Sequence, residues 1–479
     1  MSAAARRLRP GALPAALASV AALVTALVIA LVIVAALASG AAANGRPPVT
    51  SGIFFRPGDA RSILVRSTFG LLVSRDDGCA FRWICEQAIG YGGQFDPKYA
   101  AATDGTLFAT TFTGLRVSRD GGCTWQTATE ERPAGDPGRI AGIWVDAIEL
   151  GPDGHVWVAT AESGRPNDVF RSADGGRTFA PRHLRSPTIW WKSVKVAPSD
   201  ARRVYVTGYQ VAGPASPGGS AQGPRAHFLR SDDAGGRWTP SALAGVAVGA
   251  TPIVYAAAVD PANANVVLLT SAGASPPSGD RLYRSTDGGA TFREVLAASG
   301  AIHDVVFHGG AVFVAAAGGA LRSADGGATF ERVAGTPQLG CLGSHGGRLV
   351  GCGANWQPDD KAVARASADG AAWDKLLRFR ELAGPLACGP GTTVHEKCAP
   401  LWPGIQRQFG AVAPAACPDP PPEPAAAPPP PTPPTQKAGG GCCDAGGGPG
   451  SPLGAAALAW LAWLALARRS WPRRQPRPS

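Results

Sequence analysis

Ser323-Ala324-Asp325-Gly326-Gly327-Ala328-Thr329-Phe330 decides how this chain is read, because near copies of it recur along most of the 479 residues. The pattern is S-x-D-x-G-x-T-(W/F). It begins again at Ser118 (SRDGGCTW), Ser172 (SADGGRTF) and Ser285 (STDGGATF), and with departures at Ser74 (SRDDGCAF), Ser231 (SDDAGGRW) and Ser367 (SADGAAW, one residue short). One S-x-D-x-G is common by chance, whereas seven copies with serines 44, 54, 59, 54, 38 and 44 residues apart make a repeat. Each copy reads as strand, tight turn, strand. The aspartates Asp76, Asp120, Asp174, Asp233, Asp287, Asp325 and Asp369 can accept hydrogen bonds from turn amides, and glycine takes the left-handed positions. The aromatic ring opens the next strand pointing inward, where its burial is worth roughly 1.5 to 3 kcal/mol. The motif is thus a folding device, and its aspartates are expected to be stability residues.

Between the copies, short alternating or apolar runs are separated by Gly, Pro and Asp turns, which is strand periodicity without a long helical stripe. One unit reads in full: Trp144 to Leu150 as the inner strand, His155 to Ala161 as the second, Val169 to Ser172 as the third, and Thr178 to His183 as the fourth. Later units offer Lys192 to Ala197 with Val204 to Tyr209, Val254 to Val259 with Val266 to Ser271, Ile302 to His308 with Ala311 to Ala316, and Leu339 to His345 with Arg348 to Gly353. A repeat near fifty residues with about four strands has the size of a propeller blade. The expectation is an all-β, seven-bladed β-propeller over residues 49–413, with 383–409 as an eighth, motif-less blade or the closing strand. Insertions rich in Pro, Gly and Ser fall between second and third strands, at 212–225 and 273–280. They would share one face, and that face is the expected binding surface.

Both ends carry address signals. Arg6, Arg7 and Arg9 precede an apolar run from about Ala15 to Ala38, and Ala41-Ala42-Ala43 offers a cleavage site. Residues 1–43 are expected to be a secretory signal peptide cut after Ala43 by signal peptidase; an uncleaved anchor is the alternative. At the other end come a Pro/Gly-rich linker (414–441), Cys442-Cys443, an apolar run from Leu453 to Ala467 and five arginines from Arg468 onward. As a helix that run covers about 22 Å against a hydrocarbon core of about 30 Å, which is short for a permanent span. The linker's Pro418 to Lys437 in polyproline II would reach about 60 Å, a stalk. Residues 44–443 retain 37 basic and 34 acidic side chains, so the overall charge of +10 sits mainly at the ends. It reports topology and gives no ground for a nucleic-acid partner.

The repeated motif resembles the Asp-box, or bacterial-neuraminidase, repeat, and its presence in nearly every blade resembles the sortilin-type and photosystem II assembly-factor-type propellers. That resemblance implies a ring of blades with the boxes on the rim, remote from the central site, and says little of activity. The order of small-residue Cys patch, short apolar helix and arginine cluster at 442–479 resembles the MYXO-CTERM sorting tail. It implies membrane contact by the tail, recognition by a sorting protease near Cys442 or Cys443, and display on the surface of a bacterium.

Ten cysteines suit an oxidising compartment. If Gly346-Gly347 is a two-residue hairpin turn, Cys341 falls opposite Cys352, within disulfide range. Cys388 with Cys398 would make a second local bridge around Thr392-Thr393, and Cys79 with Cys85 would close if the chain bends at Arg82. No C-x-x-C pair or matching His spacing supports zinc, and no cofactor is implied.

Sialidases and some endoglucanases carry such boxes, so hydrolysis is a genuine alternative. Phe55-Arg56-Pro57 lacks the Ile of the sialidase aromatic-Arg-Ile-Pro motif, and none of the six tyrosines falls into the nucleophile's place. A xyloglucanase-like enzyme needs two carboxylates across a cleft. Counting back from the turns puts Asp146 (WVDAIEL) and Asp304 (IHDVVFH) at equivalent inner-strand positions; they are the candidate catalytic pair, against the plainer reading that they solvate the tunnel. The expected function is a surface-displayed propeller that binds a protein, peptide or glycan and catalyses nothing, with a glycosidase or a structural envelope protein as alternatives.

Overall fold

The computed structural model describes residues 46–211, 223–273, 279–353, 360, 362–366 and 370–410. Both expected address signals with Ala43, Cys442 and Cys443, the expected linker 414–441, Asp369 and most of the two insertions lie outside the described residues.

Each run of four strand-forming stretches closes into its own antiparallel sheet of consecutive strands. Blade 1 runs from β1 (Thr50–Phe55) to β4 (Arg82–Cys85), blade 2 from β5 (Tyr99–Ala101) to β8 (Gln126–Thr127), and blade 3 from β9 (Val145–Leu150) to β12 (Ala180–Pro181). Blade 4 runs from β13 (Ile189–Ala197) to β16 (Thr239–Pro240), and blade 5 from β17 (Val254–Val259) to β20 (Arg293–Ala297). Blade 6 runs from β21 (Ile302–His308) to β24 (Glu331–Arg332), and blade 7 from β25 (Leu339–His345) to β28 (Trp373–Leu377). The chain is an all-β, seven-bladed propeller.

The repeated motif joins the third and fourth strands, and its serine ends the third. Ser323 Oγ donates to Asp325 Oδ1 at 2.6 Å and accepts from the Gly327 amide at 2.8 Å. Asp325 also accepts from the Thr329 amide at 3.0 Å and from the Thr329 hydroxyl at 2.6 Å. The same Ser-to-Asp bond recurs at Ser74, Ser118, Ser172, Ser231 and Ser285. Where Thr is missing, at Ala80 and Arg237, that position keeps its backbone-amide bond to the aspartate and lacks the hydroxyl one. The glycines are needed twice over: Gly289 has φ of 83°, and a Cβ there would come within 2.2 Å of the Phe228 ring of the preceding blade.

An arginine in five of the blades reaches into the motif turn of the next. Arg75 donates to Gly121 O at 2.7 Å, Arg119 to Gly175 O at 3.0 Å, Arg230 to Asp287 O at 3.2 Å and Arg284 to Gly326 O at 2.8 Å. Arg365 of blade 7 donates to Asp77 O at 2.8 Å in blade 1. Apolar contact between blade faces fills the rest of the ring, with Trp157, Tyr205, Tyr283 and Phe108 wholly buried.

Hairpin turns fix register as the Gly-Gly pairs demand. His308 pairs with Ala311 and His345 with Arg348, around Gly309-Gly310 (φ 56° and 77°) and Gly346-Gly347 (φ 55° and 73°). That register sets Cys341 opposite Cys352, and the two are bonded.

Residues 383–409 form neither an eighth blade nor a closing strand. After a 3-10 turn at Phe379–Glu381, a bridge pairs Pro385 with Trp83 on β4, and α2 (Thr393–Cys398) and α3 (Trp402–Phe409) follow; α1 (Glu86–Ile89) leaves β4. This also corrects two of the expected disulfides. Thr392 caps a helix where a local bridge around Thr392-Thr393 was expected, its Oγ1 accepting from the His395 amide, so Cys388 and Cys398 diverge. Cys398 bonds Cys85 on β4, and Cys388 bonds Cys123 in the motif turn of blade 2. Cys79 is therefore not joined to Cys85, although it too is in a disulfide.

Candidate functional site

The first strand of every blade faces the axis, and together the seven enclose a cavity of about 760 Å³. These strands are irregular: in six of them one residue is skipped by the pairing, at Ser51, Asp146, Lys192, Ala257, His303 and Gly340. Such a bulge rotates the strand and re-aims its neighbours. None of the motif aspartates that lie in the described residues lines the cavity.

The charged residues on and beside this wall come from five blades. Arg66 Nε donates to Ser51 Oγ at 3.0 Å in blade 1. Lys98, entering blade 2, donates to Lys192 O at 3.2 Å and lies 5.7 Å from the Tyr255 ring. Asp146 in blade 3 is buried and pairs with Lys192 of blade 4, and Glu149 pairs with Lys195 at 3.0 Å. Asp304 of blade 6 accepts from the Leu342 amide at 2.9 Å.

Removal from water moves several of these groups. Desolvation pulls the Lys98 ammonium down to about 8; Asp146 opposes the shift, and Lys192, Arg66 and Lys195 add to it. Desolvation likewise pushes Asp304 up to about 6, against the Leu342 amide, Arg66 and Lys195. Glu149 is raised by desolvation against Lys195, while Lys195 is raised chiefly by Glu149.

A strip of rings that the sequence reading missed runs across blades 2 to 4. Phe95 meets Phe112 at 4.5 Å, Phe112 meets Trp144 at 4.9 Å, Trp144 meets Trp190 at 5.8 Å and Trp190 meets Tyr209 at 6.3 Å. Phe112 stands in the turn between the second and third strands of blade 2 and is 50% exposed. Tyr209 ends the second strand of blade 4, just before the 212–225 insertion, so the strip lies on the face that bears those turns. Lys192 Nζ sits 5.2 Å from the Trp144 ring centre, which joins the strip to the charged wall. Trp144 Nε1 is buried and has no acceptor among the described residues. The five rings are scattered over more than a hundred residues, and only the placing of insertions on this face hinted at them.

Of the two candidate carboxylates, Asp304 lines the cavity, whereas Asp146 occupies a bulge one residue out of step and is held by Lys192. Counting back from the turns equates them; counting by pairing equates Asp146 with His303. Arg56 donates to Thr103 O at 3.0 Å. Among the described residues no group of three or more His, Cys, Asp or Glu side chains is placed to hold a metal ion, and no helix is long and apolar enough to cross a membrane.

No family model and no curated protein matches the chain. Among solved structures it is similar to an ancestral GH74 enzyme, with TM-score 0.50 and 15% identity over 70% of this chain and 47% of that one. It is also similar to YCF48 from Cyanidioschyzon merolae (TM-score 0.43, 17% identity, 64% of this chain and 93% of that one). A third likeness is to a chain of a nidogen/laminin complex (TM-score 0.36, 13% identity, 56% of this chain and 90% of that one). The chain spans about half the length of the GH74 enzyme it matches, and at such identities the likeness is one of propeller fold.

Proposed function

We propose that this propeller is an exported, surface-displayed binding protein that takes a protein, peptide or glycan on the face bearing the aromatic strip. The observation that carries this reading is the strip itself: five rings from blades 2 to 4 and their approaches, one with an indole N–H that has no acceptor among the described residues, joined to the charged residues of the ring by Lys192. Rings of this kind offer apolar area with polar tips, as recognition surfaces do. The channel acids speak against hydrolysis, since Asp146 and Glu149 are each committed to a lysine. Disulfides support export, and the 1–43 signal and the 442–479 sorting tail supply the route.

The test is a glycan and peptide array read with the wild-type chain and Trp144→Ala. A ligand captured by the first and lost by the second, with both equally folded, is the expected result. A blank array would return the protein to a structural role. The second reading, a glycoside hydrolase, is favoured by Asp304, pushed up to about 6 in the channel and so able to hold a proton. Turnover of aryl-glycosides or polysaccharides that disappears in Asp304→Asn would establish it in place of binding alone.

A further inference from the structure

We propose that the central channel holds the carboxylate of an organic acid between Arg66 and Lys98. This deepens the binding reading by naming the chemistry of the ligand, and it rests on that reading.

Cation pairing along the wall carries it. Lys192 is answered by Asp146 and Lys195 by Glu149. Arg66 and Lys98 line the cavity, and among the described residues they hydrogen-bond only to neutral oxygens: Ser51 Oγ and Ser51 O for Arg66, and the Lys192 carbonyl for Lys98. The groups facing Lys98 are Arg66 in blade 1, Asp146 in blade 3, Lys192 and Lys195 in blade 4 and Tyr255 in blade 5. With the two lysine pairs neutral, Arg66 and Lys98 exceed the one remaining acid, Asp304, by a single charge. A monoanion balances that excess, and a phosphate dianion overshoots it. Planar carboxylate oxygens also suit a guanidinium edge and an ammonium donor. Lys98, held down to about 8 when the channel is empty, gains from an anion beside it, so binding is accompanied by proton uptake. As pH rises through that value the empty channel loses its second charge, and affinity falls.

Calorimetric titration of the wild-type chain with 3-phenylpropionate, its amide and inorganic phosphate tests the assignment, and tri-galacturonate and hexa-alanine distinguish an acidic sugar from a chain end. The expected result is an acid bound at least about tenfold more tightly than its amide or phosphate, with affinity declining from pH 7 to 9. Lys98→Met should lose about tenfold, and Lys98→Arg should retain the affinity while losing the decline with pH. Equal binding of the amide or of phosphate, no binding of any carboxylate, or an unchanged pH profile in Lys98→Arg overturns the inference. If it fails while the array still finds a ligand lost in Trp144→Ala, the binding reading stands without it.

Discussion

Ser323 has almost no exposure and two hydrogen-bonding duties, one to Asp325 and one from the Gly327 amide. Ser323→Ala leaves a buried amide unanswered, at a cost of about 1 to 3 kcal/mol in urea unfolding, with ligand binding by the folded fraction unchanged. The motif aspartates make folding sensitive to acid. Asp287 is held down to about 2, desolvation being outweighed by the Thr291 hydroxyl and amide and by Ser285, so its contribution is present above about pH 4 and is lost as pH falls through 2. Asp287→Asn should therefore flatten the fall of Tm between pH 4 and 2. Asp304 runs the other way: its raised value costs stability as pH climbs from about 4 to about 6, and the cost stays constant above that. Asp304→Asn should gain on the order of 1 kcal/mol at pH 7.5 and nothing at pH 3.5, measured by the same unfolding at both pH values.

At the scale of elements, the C-terminal helices act as a cover for blade 1. Phe379 is fully buried, with its ring centre 5.4 Å from that of Phe69 and 5.2 Å from that of Phe409. Phe379→Ala should cost about 3 to 5 kcal/mol in denaturant titration. What was legible in the sequence is what is decided locally. The S-x-D-x-G turn, the Gly-Gly hairpins at His308 and His345 and the Cys341–Cys352 register each depend on a few neighbouring residues. The bulges were not legible, because one skipped residue in a strand alters no composition and hardly alters alternation. Hence Asp146 looked equivalent to Asp304 and is not. Nor was α2, whose Thr392-Thr393 resembles a turn until Thr392 is seen capping a helix. The rings from Phe95 to Tyr209 meet only after the strands of blades 2 to 4 and their turns have folded, so nothing short-range announced them.

For the whole molecule, the absence of strand exchange matters most. Among the described residues every sheet is complete within one stretch of chain, so blades 7 and 1 meet by their faces, with the Phe55 ring stacked on His345 at 4.3 Å, by Thr50 Oγ1 within hydrogen-bond reach of Gly353 O at 2.7 Å and Ala362 O at 3.1 Å, and by the Arg365–Asp77 contact. The disulfides Cys85–Cys398 and Cys123–Cys388 tie the C-terminal cover to blades 1 and 2, across 313 and 265 residues. Replacing Cys398 or Cys388 by Ser should each cost about 2 to 4 kcal/mol, seen as a lower Tm that a reducing agent reproduces in the wild type. The same clasp sets the path of mechanical force. A pull on the chain beyond Gly410 reaches α3 and α2 and then passes through two covalent bonds into the first and second blades, bypassing the strands of the seventh. Tension is thereby delivered to the opening blades of the ring, and the blades are not unzipped one after another from the end at which the chain leaves them.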